Sequence, residues 1–333
     1  MTDPTQSPAP REDSVDPAVA PPPSPASGES TLAEIIAPAP PRSLPERIFL
    51  AGDGVRLGWR LGLYLSLAGA ILFTALWLGN SIFPNPHGPA GLWFQMYSEF
   101  GMLLAAFLPA FLLARIEHRP VDDYGLPRSE AFGRKFWVGV VWGFAWITAL
   151  LLLMDGARVF SFGRLSLHGV RIAKFALFWG VYFLLVGLFE EFFVRGYLQF
   201  TLTRRVGFWP TAAALSAFFG GIHLLNQGET FVGALGAALI GLFFCLTLRR
   251  TGSLWFAVGF HAAWDWGETY FYGVPDSGTT EPGHLLSPAI SGKTWLTGGS
   301  VGPEASVLLL IVIAAMWLAF HLRYREAHYP TQA

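Results

Sequence analysis

Eight apolar runs, each about as long as a membrane-spanning helix, constrain this chain more than any other feature of its sequence. About 20 apolar residues in a helix cross the hydrocarbon layer of a bilayer, where the backbone must satisfy its own hydrogen bonds. The seventh run is the weakest, because polar residues interrupt it. The runs cover residues 61–78, 94–114, 136–154, 175–199, 209–225, 231–248, 254–270 and 305–322. They predict an all-α fold, a polytopic transmembrane bundle of about eight helices.

The composition supports a membrane protein. Of the 333 residues, 53% are hydrophobic and only 14% are charged, whereas a soluble domain carries about 25% charged residues. The net charge of -1 offers no positive field for nucleic acid, so the lipid bilayer is the expected partner. A single cysteine, Cys245, excludes an intrachain disulfide.

The first 45 residues differ from the rest. They are rich in Pro, Ala and Ser and hold half of the 24 prolines. Such a segment buries too little apolar surface to offset its ordering entropy, so we predict a disordered tail over residues 1–45. A helical domain is predicted over residues 46–333. No apolar run lies near Met1, so no secretory signal peptide is expected.

Basic residues alternate between the predicted loops. By the positive-inside rule this pattern places both termini in the cytoplasm. The loop at residues 155–174 disagrees, and either an interfacial amphipathic segment or a hairpin in the third helix would explain it. Arg outnumbers Lys, and together with the Ala, Gly and Pro content this suggests a GC-rich bacterial genome. We therefore expect the protein in the bacterial inner membrane. The basic residues that follow the rule are Arg56, Arg60, Arg115, Arg119, Arg128, Arg134, Lys135, Arg204, Arg205, Arg249, Arg250, Arg323 and Arg325.

A few ionisable residues interrupt the apolar runs, where each costs several kcal/mol and therefore indicates function. Glu191 and Arg195 are four apart, with the acid first, which favours an ion pair on one helix face. Glu190 is rotated by about 100° from Glu191 and remains available for chemistry. His261 and Asp265 are also four apart, so that both can face one site.

Depth along the helices brings these groups to one zone of the membrane. At about 1.5 Å per residue, Glu190 lies roughly 21 Å from Arg204, and His261 lies roughly 17 Å from Arg250. His223 falls at a similar depth from the same side. We therefore expect a polar intramembrane chamber. Glu99 and Glu268 are interpreted as residues at helix ends or at the edge of the chamber.

Three motifs in this order resemble those of the CAAX protease and bacteriocin-processing family of intramembrane proteases, also called CPBP or Abi, which includes the type II CAAX prenyl endopeptidases. They read Glu190-Glu191-x-x-x-Arg195, Phe219-x-x-x-His223 and His261-x-x-x-Asp265. Each motif alone is weak, but the ordered triple on separate apolar segments is specific. The resemblance covers about residues 94–272.

The resemblance implies an endopeptidase that cleaves membrane-anchored peptides or proteins. Glu190 would activate water with help from His223, while His261 and Asp265 would stabilise the oxyanion. Glu191, Arg195 and Phe219 would support the site. The enzyme would depend on the glutamate or on a divalent metal such as zinc, for which His223, His261 and Glu190 are the candidate ligands.

Asp265 departs from the Asn that is commoner in the family. An ionised Asp donates no hydrogen bond to an oxyanion, so Asp265 would instead orient His261, bind a metal or be protonated by burial.

Two other functional classes remain as alternatives. Buried acids and histidines also serve proton-coupled transporters, although no inverted repeat is visible in this sequence. A non-catalytic membrane scaffold or immunity factor of the same fold is the third class. It has no need of Glu190, His223 and His261.

Overall fold

The computed structural model describes residues 43, 50–51, 54–85 and 91–329. The chain divides into two units, Met1–Ile48 and Phe49–Ala333. Only Ser43 of the first unit is described, so everything below concerns the second. The predicted disorder of residues 1–45 lies outside the described residues, apart from Ser43.

The described part of the chain is a helical bundle, which confirms the all-α prediction. Each of the eight predicted apolar runs coincides with a helical segment. The α-helices are α1 Leu57–Ile82, α2 Gly91–Ile116, α3 Arg134–Gly156, α4 Val170–Glu191, α5 Gln199–Val206, α6 Phe208–His223, α7 Phe231–Thr251, α8 Trp255–Trp266, α9 Thr294–Thr297 and α10 Val307–Arg323. Short 3₁₀ helices lie at Val121–Tyr124, Arg128–Glu130 and Pro303–Ala305.

Five helical segments are long and apolar enough to cross a membrane: α1, α2, α3, the continuous segment Val170–Val206 and α7. The helix α10 is apolar but has 17 residues, and α6 and α8 are shorter. These lengths fit an integral membrane protein. The count of eight spans stays a prediction, because α6, α8 and α10 are each shorter than the about 20 residues of a typical crossing.

Two π-helical turns interrupt the bundle near the predicted site. Phe192–Leu198 joins α4 to α5, with a kink at Gly196 (φ -84°, ψ -106°). Gly267–Tyr272 continues α8. A π-helical turn shifts the side chains that follow it around the helix axis, and such turns are frequent at functional sites. Both lie directly after residues of the predicted chamber.

Glycines let α3 and α8 approach closely. A Cβ atom built on Gly139 would lie 2.1 Å from the carbonyl oxygen of Phe256, and one on Gly143 would lie 2.1 Å from that of Phe260. On α8, a Cβ on Gly259 would lie 2.2 Å from the oxygen of Phe136. Only residues without a side chain allow this backbone contact. It holds α8 between α3 and α4 and so positions His261.

Two small antiparallel sheets accompany the helices. Leu50–Ala51 (β1) pairs with Gly54–Val55 (β2), and Phe160–Leu165 (β3) pairs with Leu286–Ile290 (β4). The third helix runs without a break from Arg134 to Gly156. The interpretation of this helix as a hairpin, one of the two explanations for the basic loop at residues 155–174, is therefore wrong. The pairing of β3 with β4 satisfies backbone groups of two segments that both read as loops in the sequence.

Candidate active site

Four predicted site residues line one cavity of about 610 Å³. Glu190 comes from the last turn of α4, His223 is the last residue of α6, and His261 and Asp265 lie on α8. The structure therefore brings three separate helices together at one chamber. Phe219 of α6 contributes to the same wall.

The imidazole of His261 is the centre of this group. Its Nε2 atom lies 3.7 Å from Oε2 of Glu190 and 3.5 Å from Oδ2 of Asp265. On the other side of the ring, Nδ1 lies 3.0 Å from Oε1 of Glu191. Because a carboxylate only accepts hydrogen bonds, Nδ1 is the donor in this contact. Nε2 is thus directed between the other two carboxylates.

Glu191 has two partners. Its side chain is 0% exposed, and Oε1 accepts a hydrogen bond from Nη1 of Arg195 at 3.0 Å in addition to the contact with His261. The guanidinium of Arg195 also lies 4.3 Å from the centre of the Phe219 ring. The spacing of four residues predicted the ion pair. It gave no sign that Glu191 also orients His261, because that contact joins two distant helices.

Glu190 is the more accessible carboxylate. Its side chain is 27% exposed to the cavity, against 0% for Glu191. The two adjacent acids thus differ in access: Glu191 is buried behind the imidazole, whereas Glu190 can contact a molecule bound in the cavity. A water-activating base must contact the water, and this difference in exposure meets that requirement.

His223 is held from its own helix. Its Nδ1 lies 2.7 Å from the carbonyl oxygen of Phe219, so Nδ1 carries the proton and donates it. In the neutral ring Nε2 is then an acceptor. The rings of Phe219 and His223 are also in contact, at 4.6 Å between centroids.

The proposed metal ligands Glu190, His223 and His261 line the same cavity but do not form a compact ligand set. Among the described residues, the group of three potential ligands with atoms within 4.8 Å of one another is a different one: Asp265, Glu268 and Asp276. Glu190, His223 and His261 therefore do not fit a metal held by all three side chains.

Further carboxylates line the chamber, and several were missed in the sequence. Glu229, Asp276, Glu281 and Glu304 lie in connecting segments, where no periodic pattern marks a residue as inward-facing. Burial raises the pKa of Asp276 to about 8, with a further contribution from the charge of Glu304. Burial likewise raises the pKa of Glu229. No Lys or Arg is among the described residues that line the cavity, so the chamber is strongly acidic.

A comparison with protein families matches residues 172–267 to the family described as Type II CAAX prenyl endopeptidase Rce1-like. No curated protein and no solved structure matches the chain. The matched segment is shorter than the expected core of residues 94–272, but it contains Glu190, His223, His261 and Asp265. The resemblance drawn from the three motifs is confirmed. Over residues 172–267, which carry these side chains, this chain is therefore similar to the Rce1-like family of type II CAAX prenyl endopeptidases.

Proposed function

We propose that this protein is an intramembrane endopeptidase that hydrolyses peptide bonds of membrane-associated substrates, with Glu190 as the base that activates water. One observation carries the proposal: the accessible Glu190 carboxylate and the His261 imidazole face each other at 3.7 Å on the wall of the chamber. The match of residues 172–267 to a family of endopeptidases supports the same reaction class.

Each step of the reaction has a residue suited to it. Glu190 takes a proton from water, and the oxygen attacks the scissile carbonyl carbon. Nε2 of His223 accepts a hydrogen bond from the other hydrogen of that water, because Nδ1 already donates to the carbonyl oxygen of Phe219. The protonated Glu190 then gives its proton to the nitrogen of the departing amine, which restores the carboxylate. Protons balance over the cycle.

His261 serves the oxyanion in this scheme. Nδ1 already donates to Glu191, so Nε2 donates to the oxyanion only when both nitrogens carry a proton. Asp265, at 3.5 Å from Nε2, holds the ring in place from the other side. Glu191 and Arg195 maintain the orientation of His261 and act through it.

The substrates proposed are peptides or proteins anchored in the bacterial inner membrane. Glu190, His223 and His261 lie on apolar helices around the chamber, which favours a substrate that is itself anchored in the membrane. The name of the matched family refers to prenylated substrates. Peptides with a prenylated C-terminus are therefore included in the test.

The test is a cleavage assay with the purified protein in liposomes, using membrane-anchored peptide libraries with and without a prenyl group. The variant Glu190→Gln keeps the side-chain volume and removes the base, so we expect cleavage to fall by about 10²- to 10⁴-fold. Glu281→Gln is the matched control, because Glu281 lines the same chamber and has no role in the scheme. Equal rates for Glu190→Gln and the parent would refute the assignment.

Metal dependence is tested in the same assay. Incubation with 1,10-phenanthroline removes zinc and other transition metals but leaves calcium bound. A glutamate-dependent enzyme keeps its activity under this treatment. Loss of activity, with recovery on addition of zinc, would instead assign His223 and His261 to a metal site.

A further inference from the structure

Three carboxylates converge beyond Asp265, on the side of the chamber away from Glu190. Asp265 and Glu268 are three residues apart, on α8 and the π-helical turn that follows it, and so share one side of the helix. Asp276 reaches the same point from the segment after that turn. Ligand oxygens of the three residues lie within 4.8 Å of one another. Such a cluster of acids requires a compensating charge.

Glu268 supplies an independent sign that a ligand belongs here. Its side chain is 0% exposed, and neither carboxylate oxygen has a hydrogen-bond partner. Buried carboxylates in proteins are almost always hydrogen-bonded or bound to a cation. One oxygen of Glu268 lies within 4.8 Å of an oxygen of each aspartate, so a cation among the three side chains would supply the missing partner.

Neighbouring donors do not fill this place. Trp264 Nε1 donates to Glu304 at 3.3 Å, and the backbone nitrogen and hydroxyl of Ser277 donate to Glu304 at 3.2 and 3.0 Å. Asp276 receives one hydrogen bond, from the hydroxyl of Thr269 at 3.2 Å. The donors of this region thus bind Glu304 and Asp276, and neither oxygen of Glu268 has a hydrogen-bond partner.

The donor set and the spacing select the ion. All donors are carboxylate oxygens, which suit hard cations, whereas zinc prefers nitrogen and sulfur. Calcium binds oxygen at about 2.3–2.6 Å, so ligands on opposite sides of it lie about 4.6–5.2 Å apart. Magnesium keeps several of its waters and is usually bound by only one or two carboxylates. Three carboxylates with oxygens within 4.8 Å of one another therefore favour calcium.

We propose that Asp265, Glu268 and Asp276 bind a calcium ion. The ion ties the segment after the π-helical turn to α8, because Asp276 belongs to the first and Asp265 to the second. It also places a positive charge beside Asp265, whose other neighbour is His261. The ion site shares Asp265 with the contact to His261 but does not include Glu190, and ion binding does not require proteolytic activity.

The test is a calorimetric titration of the purified full chain, stripped with EGTA in detergent, with calcium chloride. The parent is expected to bind one calcium ion per chain. Loss of a ligand in Glu268→Gln weakens the affinity by about 10- to 100-fold. Glu281→Gln, with a chamber carboxylate outside the cluster, binds as the parent does. Absence of binding to the parent at millimolar calcium, or equal binding by Glu268→Gln, would overturn the proposal.

Thermal unfolding separates a lost ligand from a damaged fold. Calcium raises the unfolding temperature of the parent and of Glu281→Gln, but not that of Glu268→Gln. In EGTA, Glu268→Gln unfolds at or above the temperature of the parent, since the change removes a buried uncompensated charge. Asp276→Asn is the second variant and shows the same loss of the calcium effect. A larger stabilisation by magnesium than by calcium would contradict the assignment of the ion.

Discussion

At the scale of single residues, the buried Glu191 carboxylate connects the two halves of the site. Its Oε1 atom accepts a hydrogen bond from Nη1 of Arg195, one turn further along the same helical segment, and another from Nδ1 of His261 on α8. Both distances are 3.0 Å. Both Glu191 and Arg195 are 0% exposed. A buried pair of this kind adds little net stability, but removal of one partner leaves the other charge without compensation. Its contribution is therefore the orientation of His261.

We predict that Arg195→Met lowers the free energy of unfolding by about 3–5 kcal/mol, because the buried charge of Glu191 would lose its guanidinium partner and keep only the contact with His261. Denaturant titration in detergent measures this change. Arg128→Met is the matched control, since Arg128 also pairs with a carboxylate at 3.0 Å but is 85% exposed. Its loss is expected to stay within about 1 kcal/mol. Similar losses for the two variants would contradict the prediction.

At the scale of elements, the close contact of α3 with α8 decides where His261 lies. The contact rests on the backbone of Phe256 and Phe260 meeting Gly139 and Gly143, and His261 follows Phe260 directly. Contacts between small residues are the usual way in which membrane helices approach closely. A change in the distance between these helices therefore moves the imidazole relative to Glu190.

Gly143→Ala places a methyl group 2.1 Å from the carbonyl oxygen of Phe260, which is a steric clash, so the helices must separate. We expect a loss of about 1–3 kcal/mol in stability from overpacking and a fall in proteolytic rate. Gly69→Ala in α1 is the control, because nothing lies within 4 Å of its added Cβ and alanine favours a helix by about 1 kcal/mol. Thermal unfolding and the cleavage assay report on both variants. An unchanged Gly143→Ala enzyme would show that the contact tolerates expansion.

At the scale of the whole molecule, the open question is how many helices cross the membrane. Five segments have the required length, whereas the basic residues of the loops favour eight spans with both termini in the cytoplasm. The chamber depends on α6 and α8, which are short, and both carry a histidine of the site. Short helices can enter the membrane where other protein segments cover their ends.

Reporter fusions in a bacterial host decide between these counts. With eight spans, a fluorescent protein fused after the C-terminus fluoresces and alkaline phosphatase at the same position is inactive. Phosphatase fused after Ser300 is the control and is expected to be active, because one span separates this position from the C-terminus. Active phosphatase at the C-terminus would place that end outside and exclude the even count.

Much of the site could be predicted from the sequence because its chemistry is carried by unusual residues in apolar helices. Charges such as Glu190, and histidines such as His223 and His261, stand out against apolar runs by their energetic cost. Residues such as Asp276 and Glu304 do not, because acids are ordinary in connecting segments. The same reason hid the pairing of Phe160–Leu165 with Leu286–Ile290, since strand pairing over this separation leaves no local pattern.

The apolar runs were sufficient to predict the helices and the side chains that interrupt them. Local spacing was sufficient for the pair of Glu191 with Arg195, because residues four apart on a helix share a face. The contact of Glu191 with His261, the exposure of Glu190 to the cavity and the approach of Asp276 to Asp265 and Glu268 became visible in the folded chain. These contacts link distant segments, and their geometry depends on how closely the helices pack.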